Sequence, residues 1–318
     1  MNEPSNNECV VRTEGLTKKY GDFLALDDLD IRIHKGEVFG YIGPNGAGKT
    51  TTFRLLAGLL KPSAGRAYVG NLDVTESSEK LKTLVGYLPD RFGVYEGMRV
   101  WEYLDFFGAA FRISKKIRRE RIDQILEATQ TVDFRDKMME ALSHGMRQRV
   151  GIARTLIHGP EVLILDEPAN GLDPQSRIEM RALLRNLADM GKAVLVSSHI
   201  LPELASVCDR VGILGRGKLL ACGPVAEIMK EIRQARLLEF HLLEQADRAA
   251  KLIEEAHPKW EPTLTDPEAG ILRYQATADD REIAEMVVLL VNHNIPLLWS
   301  REEEPDLEDA FMALTQKK

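Results

Sequence analysis

Residues 38–54 read Val-Phe-Gly-Tyr-Ile-Gly-Pro-Asn-Gly-Ala-Gly-Lys-Thr-Thr-Thr-Phe-Arg, and what this stretch demands physically decides the fold. An apolar, strand-like run from Val38 to Ile42 feeds a loop, and Lys49 then opens a predicted helix that runs towards Leu60. Glycines let backbone N–H groups wrap a polyphosphate where a Cβ would clash, and a new helix adds unpaired N-terminal donors and the positive end of its dipole. The loop through Gly43, Pro44, Asn45, Gly46, Ala47 and Gly48 is therefore a candidate phosphate cradle, continued by Lys49, Thr50 and Thr51. Lys49 is placed to reach β- and γ-phosphates, and the Thr50 hydroxyl to sit on Mg²⁺. A glycine-rich turn can precede a Lys-Thr pair by chance. The strand before it and the helix after it are the context that argues for a nucleotide site.

With 318 residues, 44% hydrophobic and 29% charged, the chain has the composition of an ordinary globular protein of about two domains. No apolar run approaches the ~18–20 residues needed to cross a bilayer, and the polar residues 1–8, expected to be disordered, lack the features of a signal peptide. The expected location is the cytoplasm, with any membrane role supplied by a partner. A net charge of -7 argues against general nucleic-acid binding. Cys9, Cys208 and Cys222 are too scattered for a disulfide framework or a zinc site and read as buried thiols.

Outward from the loop, Cys9 to Leu16 and Leu24 to Ile33 predict strands of a small antiparallel sheet. Tyr20, at the turn between them, is either a packed turn residue or a ring that stacks on a purine. Arg66 to Val69 and Leu81 to Leu88 read as further strands. From Asp90 to Phe111 the chain is rich in aromatics (Phe92, Tyr95, Trp101, Tyr103, Phe106, Phe107, Phe111), which serve as the core of a helical subdomain or as an exposed docking surface. Residues 115–131 predict a surface helix with Ile122, Ile125 and Leu126 on one face. Ser143 opens another helix, as a plain N-cap or, with the backbone at Gly145, as a second anion site.

Val162-Leu163-Ile164-Leu165-Asp166-Glu167 has the form of a central parallel strand whose C-terminal end faces a ligand crevice. Adjacent carboxylates there are costly unless they meet a cation or a water: Asp166 suits the Mg²⁺ shell, and Glu167 suits orienting or deprotonating an attacking water. Ala193 to Ser197 repeats the strand pattern and ends in Ser198-His199, which shares the crevice. Beyond Pro224 the pattern changes. Strands at Leu237–Leu243, Ile271–Thr277 and Pro296–Trp299 and helices at Ala246–Ala256 and Asp280–His293 suggest a small α+β appendage without a catalytic cluster.

Taken in order, these motifs resemble the ATP-binding subunits of ABC transporters over residues 9–225. Gly43–Thr50 is similar to Walker A, Leu165-Asp166-Glu167-Pro168 to Walker B, Leu142-Ser143-His144-Gly145-Met146-Arg147-Gln148-Arg149 to the family signature, Gly171-Leu172-Asp173 to the D-loop and Ser198-His199 to the switch histidine. The resemblance implies an α/β P-loop NTPase cassette with a mixed sheet core, an antiparallel β-subdomain, a helical subdomain at about 91–158 and a small C-terminal α+β domain at 226–318. It also implies ATP and Mg²⁺ as ligands, Tyr20 as the adenine-stacking aromatic, and Glu167, His199 and Lys49 as catalytic residues. Ser143, His144, Gly145 and Met146 would complete the site of a second copy in a head-to-tail pair, with Asp173 beside them, and a separate permease would dock near Phe92–Trp101.

Two departures stand out. His144 and Met146 replace a small residue and an amide of the usual signature, and Asp90, in Tyr87-Leu88-Pro89-Asp90, stands where the family has glutamine, one methylene longer and able to donate. Its carboxylate can still meet Mg²⁺, directly or through water. Glu304-Pro305-Asp306-Leu307-Glu308-Asp309-Ala310-Phe311 resembles the ending of subunits that serve separate export permeases. The competing expectation is a non-transport member acting on a cytoplasmic partner. Tandem cassettes or a long coiled coil would mark such members, and the sequence has neither.

Overall fold

The computed structural model describes residues 8–303 apart from 77, 235, 263–265, 267, 268 and 277. The chain divides into a unit ending at Val225 and a second beginning at Ala226. Residues 1–7 and the Glu304–Phe311 ending lie outside the described residues.

The first unit opens with an antiparallel sheet. β1 (Cys9–Tyr20) pairs with β2 (Phe23–Leu29) and with β3 (Arg32–His34), and Val11, Leu16, Leu26, Leu29 and Ile33 enter the core. β4 (Val38–Ile42) is buried at all five positions and delivers the chain to α1 (Lys49–Leu56), which stops short of the expected Leu60 because Gly58 turns to φ +69. β5 (Ala64–Val69) and β6 (Leu72–Asp73) complete the antiparallel sheet in the order β2-β1-β5-β6, with β3 beside β1.

The single strand expected over Leu81–Leu88 is corrected to α2 (Ser78–Leu84) followed by β7 (Val85–Leu88). Leu81, Leu84, Val85 and Leu88 follow helical as well as strand-like spacing, and the strand begins only where Val85 finds Val162 as its parallel partner. α3 (Val100–Ala110), α4 (Lys115–Ala128) and α5 (His144–Leu156) pack on one another as a helical lobe. α4 buries Ile122, Ile125 and Leu126, the face its amphipathic pattern predicts.

β8 (Val162–Leu165), α6 (Pro174–Asp189), β9 (Ala193–Ser198), α7 (Leu201–Ala205), β10 (Arg210–Gly215) and β11 (Lys218–Pro224) finish the unit. The second sheet runs β11-β10-β4-β9-β8-β7, parallel except for the edge strand β11. Its central strands are buried throughout, which explains their unbroken apolar sequences. Because β4, β9 and β8 lie side by side and parallel, the segments following Ile42, Leu165 and Ser198 all leave at the carboxyl ends of the strands. The expectation of three buried thiols is corrected: Cys9 at the start of β1 and Cys222 on the edge strand β11 are exposed, and Cys208 is half-buried.

In the second unit, α8 (Val225–Gln234) precedes β12 (Arg236–Leu242), α9 (Ala246–Ala256), β13 (Glu261–Pro262), β14 (Ile271–Ala276), α10 (Asp280–Asn292) and β15 (Leu297–Glu303). The strands form an antiparallel sheet in the order β13-β14-β12-β15, a split β-α-β arrangement. Its core holds Phe240, Tyr274, Ile253 and Leu290. Asp279 caps α10 by accepting from the N–H groups of Arg281 and Glu282.

Candidate nucleotide site

The loop after β4 is shaped by crowding from behind. A Cβ at Gly43 would come 2.5 Å from the Leu214 carbonyl oxygen, and one at Gly48 would come 2.6 Å from that of Ala25. Gly46 and Gly48 also hold φ of +82° and +108°, in the left-handed region that glycine enters without a steric penalty. The loop is tied from the other side as well: the Gly217 N–H donates to the Ala47 carbonyl at 3.0 Å, and the Gly217 carbonyl accepts from the Asp27 N–H at 2.9 Å. Ala47 and Gly43 therefore face the protein. A cavity of about 400 Å³ opens in front, lined by Tyr20, Pro44, Asn45, Gly46, Gly48, Lys49, Thr50, Thr51, Asp90, Glu167 and His199 among the residues expected to bind. Phe23, Ala25 and Asn170 line it too, and sequence reasoning missed them. Phe23 was legible in principle, because it stands across the same β-turn as Tyr20.

The charged groups converge at the exit of β8. Lys49, only 6% exposed, places Nζ 3.3 Å from Glu167 Oε1 and donates to the Gly43 carbonyl, while His199 Nδ1 lies 3.2 Å from Glu167 Oε2. The Thr50 hydroxyl donates to Asp166 Oδ2 at 2.8 Å. Burial pushes the Asp166 carboxyl above its usual range, the Ser197 and Thr50 hydroxyls pull it back, and the charges of Glu167 and Asp90 push it up again. The negative charge of Asp166 is thus opposed by two further acids, and a cation at its carboxylate would relieve it. Glu167 itself holds φ of +50°, a left-handed backbone that a glutamate adopts only under constraint.

Ser197 supplies part of that constraint, and it is the second kind of residue the sequence did not reveal. Its hydroxyl donates to Asp166 Oδ1 at 2.7 Å and accepts from the Glu167 N–H at 2.9 Å. A serine in an apolar strand carries no signal of its own. Its role appears only once β8 and β9 are known to be neighbours, with Leu165 opposite Val196.

Comparison with known proteins agrees with this geometry. A family model described as "ABC transporter" matches residues 26–170. The bacitracin transport ATP-binding protein BcrA of Bacillus licheniformis is 35% identical over 306 residues, which is 96% of this chain and 97% of that protein. The chain belongs to the ABC transporter ATP-binding cassettes. It is also 38% identical over 221 residues to the probable multidrug ABC transporter ATP-binding protein YbhF of Escherichia coli, a match covering 70% of this chain and spanning 38% of that longer protein. Among solved structures, cbiO1 of Clostridium perfringens, described as part of the ABC transporter complex cbiONQ, superposes with a TM-score of 0.66 at 31% identity, covering 71% of this chain and 94% of that chain.

The remaining expected site residues of the cassette lie apart from the cavity. Ser143, His144, Gly145, Met146 and Asp173 are absent from its lining. Ser143 caps α5 by accepting from the Met146 N–H at 3.3 Å, and Asp173 caps α6 by accepting from the Ser176 N–H at 2.9 Å. These two helix starts adjoin each other: a Cβ on Gly145 would fall 2.8 Å from Ser176 Oγ, and His144 Nε2 lies 3.0 Å from the Asn170 carbonyl oxygen.

Proposed function

We propose that this cassette is a Mg²⁺-dependent ATPase that works as a head-to-tail pair and powers a separate membrane permease in the direction of export. The observation that carries the reading is the placement of Glu167 at the cavity, within 3.3 Å of Lys49 and 3.2 Å of His199. A cassette that only bound nucleotide would have no use for a carboxylate aimed there. In this reading Lys49 and the N–H groups at the start of α1 hold the β- and γ-phosphates, Tyr20 stacks on adenine with Phe23 beside it, Glu167 orients or deprotonates the attacking water, and His199 fixes the Glu167 carboxylate.

The donors suit Mg²⁺: the Asp166 carboxylate and the Thr50 hydroxyl are hard oxygens, with Asp90 lining the same cavity. When bound, the cation offsets charge on the β- and γ-phosphates.

The pair is supported by the signature residues not lining their own cavity. Ser143 and Gly145, with His144 and Met146, would complete the nucleotide site of the second copy, with Asp173 beside them. Among the described residues no helix is long and apolar enough to cross a membrane. In this reading the permease is a separate chain and the cassette sits peripherally on the cytoplasmic face. We place its docking surface near Phe92–Trp101. Export is supported by the names of the relatives, one for bacitracin transport and one for multidrug transport. Those names do not favour a non-transport role.

The deciding experiment is Glu167→Gln, which keeps the shape and removes the charge. It should bind ATP normally, lower turnover by about a hundredfold or more, and accumulate an ATP-bound dimer on size exclusion. Hydrolysis within about twofold of the unsubstituted cassette would refute the role of Glu167.

A further inference from the structure

Arg177 lies in the first turns of α6 and reaches two acceptors on different segments. Its Nε donates to the Leu172 carbonyl at 3.0 Å, one residue before Asp173, and its terminal nitrogen lies 2.7 Å from Glu203 Oε1. The second contact is an ion pair set off the hydrogen-bond direction. Glu203 is 17% exposed and sits in α7, which begins two residues after His199. A second tie runs from Arg181 of α6 to the hydroxyl of Ser206, the residue that ends α7, at 3.2 Å. On its other side the turn before α6 is held to the start of α5 by His144 on the Asn170 carbonyl.

We propose that Arg177 is a positioning residue that couples the Asp173 turn to His199, so that engagement of the signature by a second copy is felt at the cassette's own Glu167. The inference rests on the head-to-tail reading above. A line of contacts, closed by the short chain from His199 to α7, carries it: the start of α5, the Asn170–Leu172 segment, Arg177, Glu203, α7, His199 and Glu167. His144 is the departure from the usual signature that makes the first link, since the small residue usual at that position has no ring to offer the Asn170 carbonyl. The guanidinium suits the second link because its planar fork holds two acceptors at once, whereas an ammonium is a point charge. Arg177 is 40% exposed, but the Glu203 Oε1 it faces is buried, so loss of the guanidinium leaves that carboxylate uncompensated and should lower Tm; thermal melts are therefore read beside every rate.

The test is the ATP dependence of hydrolysis by the full chain carrying Arg177→Met, Arg177→Lys, Glu203→Gln, or Arg177→Met with Glu203→Gln, alongside ATP affinity and thermal melts. Arg177→Met and Arg177→Lys should each lower kcat by about tenfold, move the Hill coefficient towards one, and leave ATP affinity within about twofold. The double variant should be no worse than Arg177→Met, because both changes cut one link. Normal kcat in Arg177→Lys would overturn the proposal, as would multiplying losses in the double variant or a raised KM with kcat intact. Should Arg177→Met melt early, Glu203→Gln decides alone, and unchanged cooperativity there refutes the coupling. If the unsubstituted cassette hydrolyses ATP without cooperativity, the paired reading falls first and this inference with it. If it is cooperative and the variants match it, only this inference fails.

Discussion

Glu167 is asked to stand in a backbone conformation that costs an L-residue about 1–2 kcal/mol, at φ +50°, next to a carboxylate whose burial already opposes its charge. The Ser197 hydroxyl answers both strains, accepting the Glu167 N–H and donating to Asp166. Ser197→Ala should therefore leave two buried polar groups short of a partner, cost about 1–3 kcal/mol, and slow turnover by about tenfold or more through misplacement of Glu167. Ser197→Thr keeps the hydroxyl and should recover most of both losses. Thermal melts read beside ATPase rates check this, and full activity in the alanine variant would show that the strand alone holds the carboxylates. The acids themselves were legible because two carboxylates after an apolar run violate what a strand prefers. Ser197 violates nothing, so the sequence is silent about it.

Elements were readable in proportion to how much of their pattern is local. α4 and the buried strands β4, β8 and β9 show their faces in the order of residues alone, whereas the boundary between α2 and β7 depends on where Val85 meets Val162, about which the local sequence says nothing. The same non-locality governs His158, just beyond α5. Its Nε2 lies 3.1 Å from the Val85 carbonyl oxygen, Phe111 stacks on its ring at 4.1 Å, and Nδ1 is buried without a partner among the described residues. Burial lowers its pKa below the ordinary value, and the positive charges of Arg121 and Lys192 add to the effect. A histidine held neutral in the fold binds fewer protons than it does in the unfolded chain. Stability should thus be full above the ordinary histidine value near ~6.5 and fall as pH drops below it towards the depressed folded value. His158→Gln stays neutral and can still donate to Val85. The loss of Tm between about pH 7.5 and about pH 5.5 should be smaller in that variant. An equal loss in both proteins would assign the pH dependence elsewhere.

At the scale of the whole molecule, the sequence shows the cassette because its motifs are spread across the chain in one order, and it leaves the outward-facing surfaces unassigned. Of the aromatics expected at the permease, Phe92 fills the space that Gly151 leaves open on α5, and Trp101 is half-buried, while Tyr95 is 48% exposed and meets Phe106, itself 45% exposed, edge to face. Tyr95→Ser should therefore leave Tm and ATP binding of the isolated cassette nearly unchanged and weaken co-sedimentation with membranes that hold the permease. A destabilised cassette with undiminished membrane association would place Tyr95 in the core instead. Such interfaces depend on a partner's shape, which is not written in this chain.

The tie from Gly217 to Ala47 and Asp27 reaches back across most of the first unit. During translation, the glycine loop leaves the ribosome long before the turn that braces it, so a nascent or prematurely ended chain carries the phosphate motif without its finished shape. A chain ended before Gly217 lacks the two hydrogen bonds that brace the loop and should therefore hold nucleotide more weakly than the full chain, which a binding titration on the two would show.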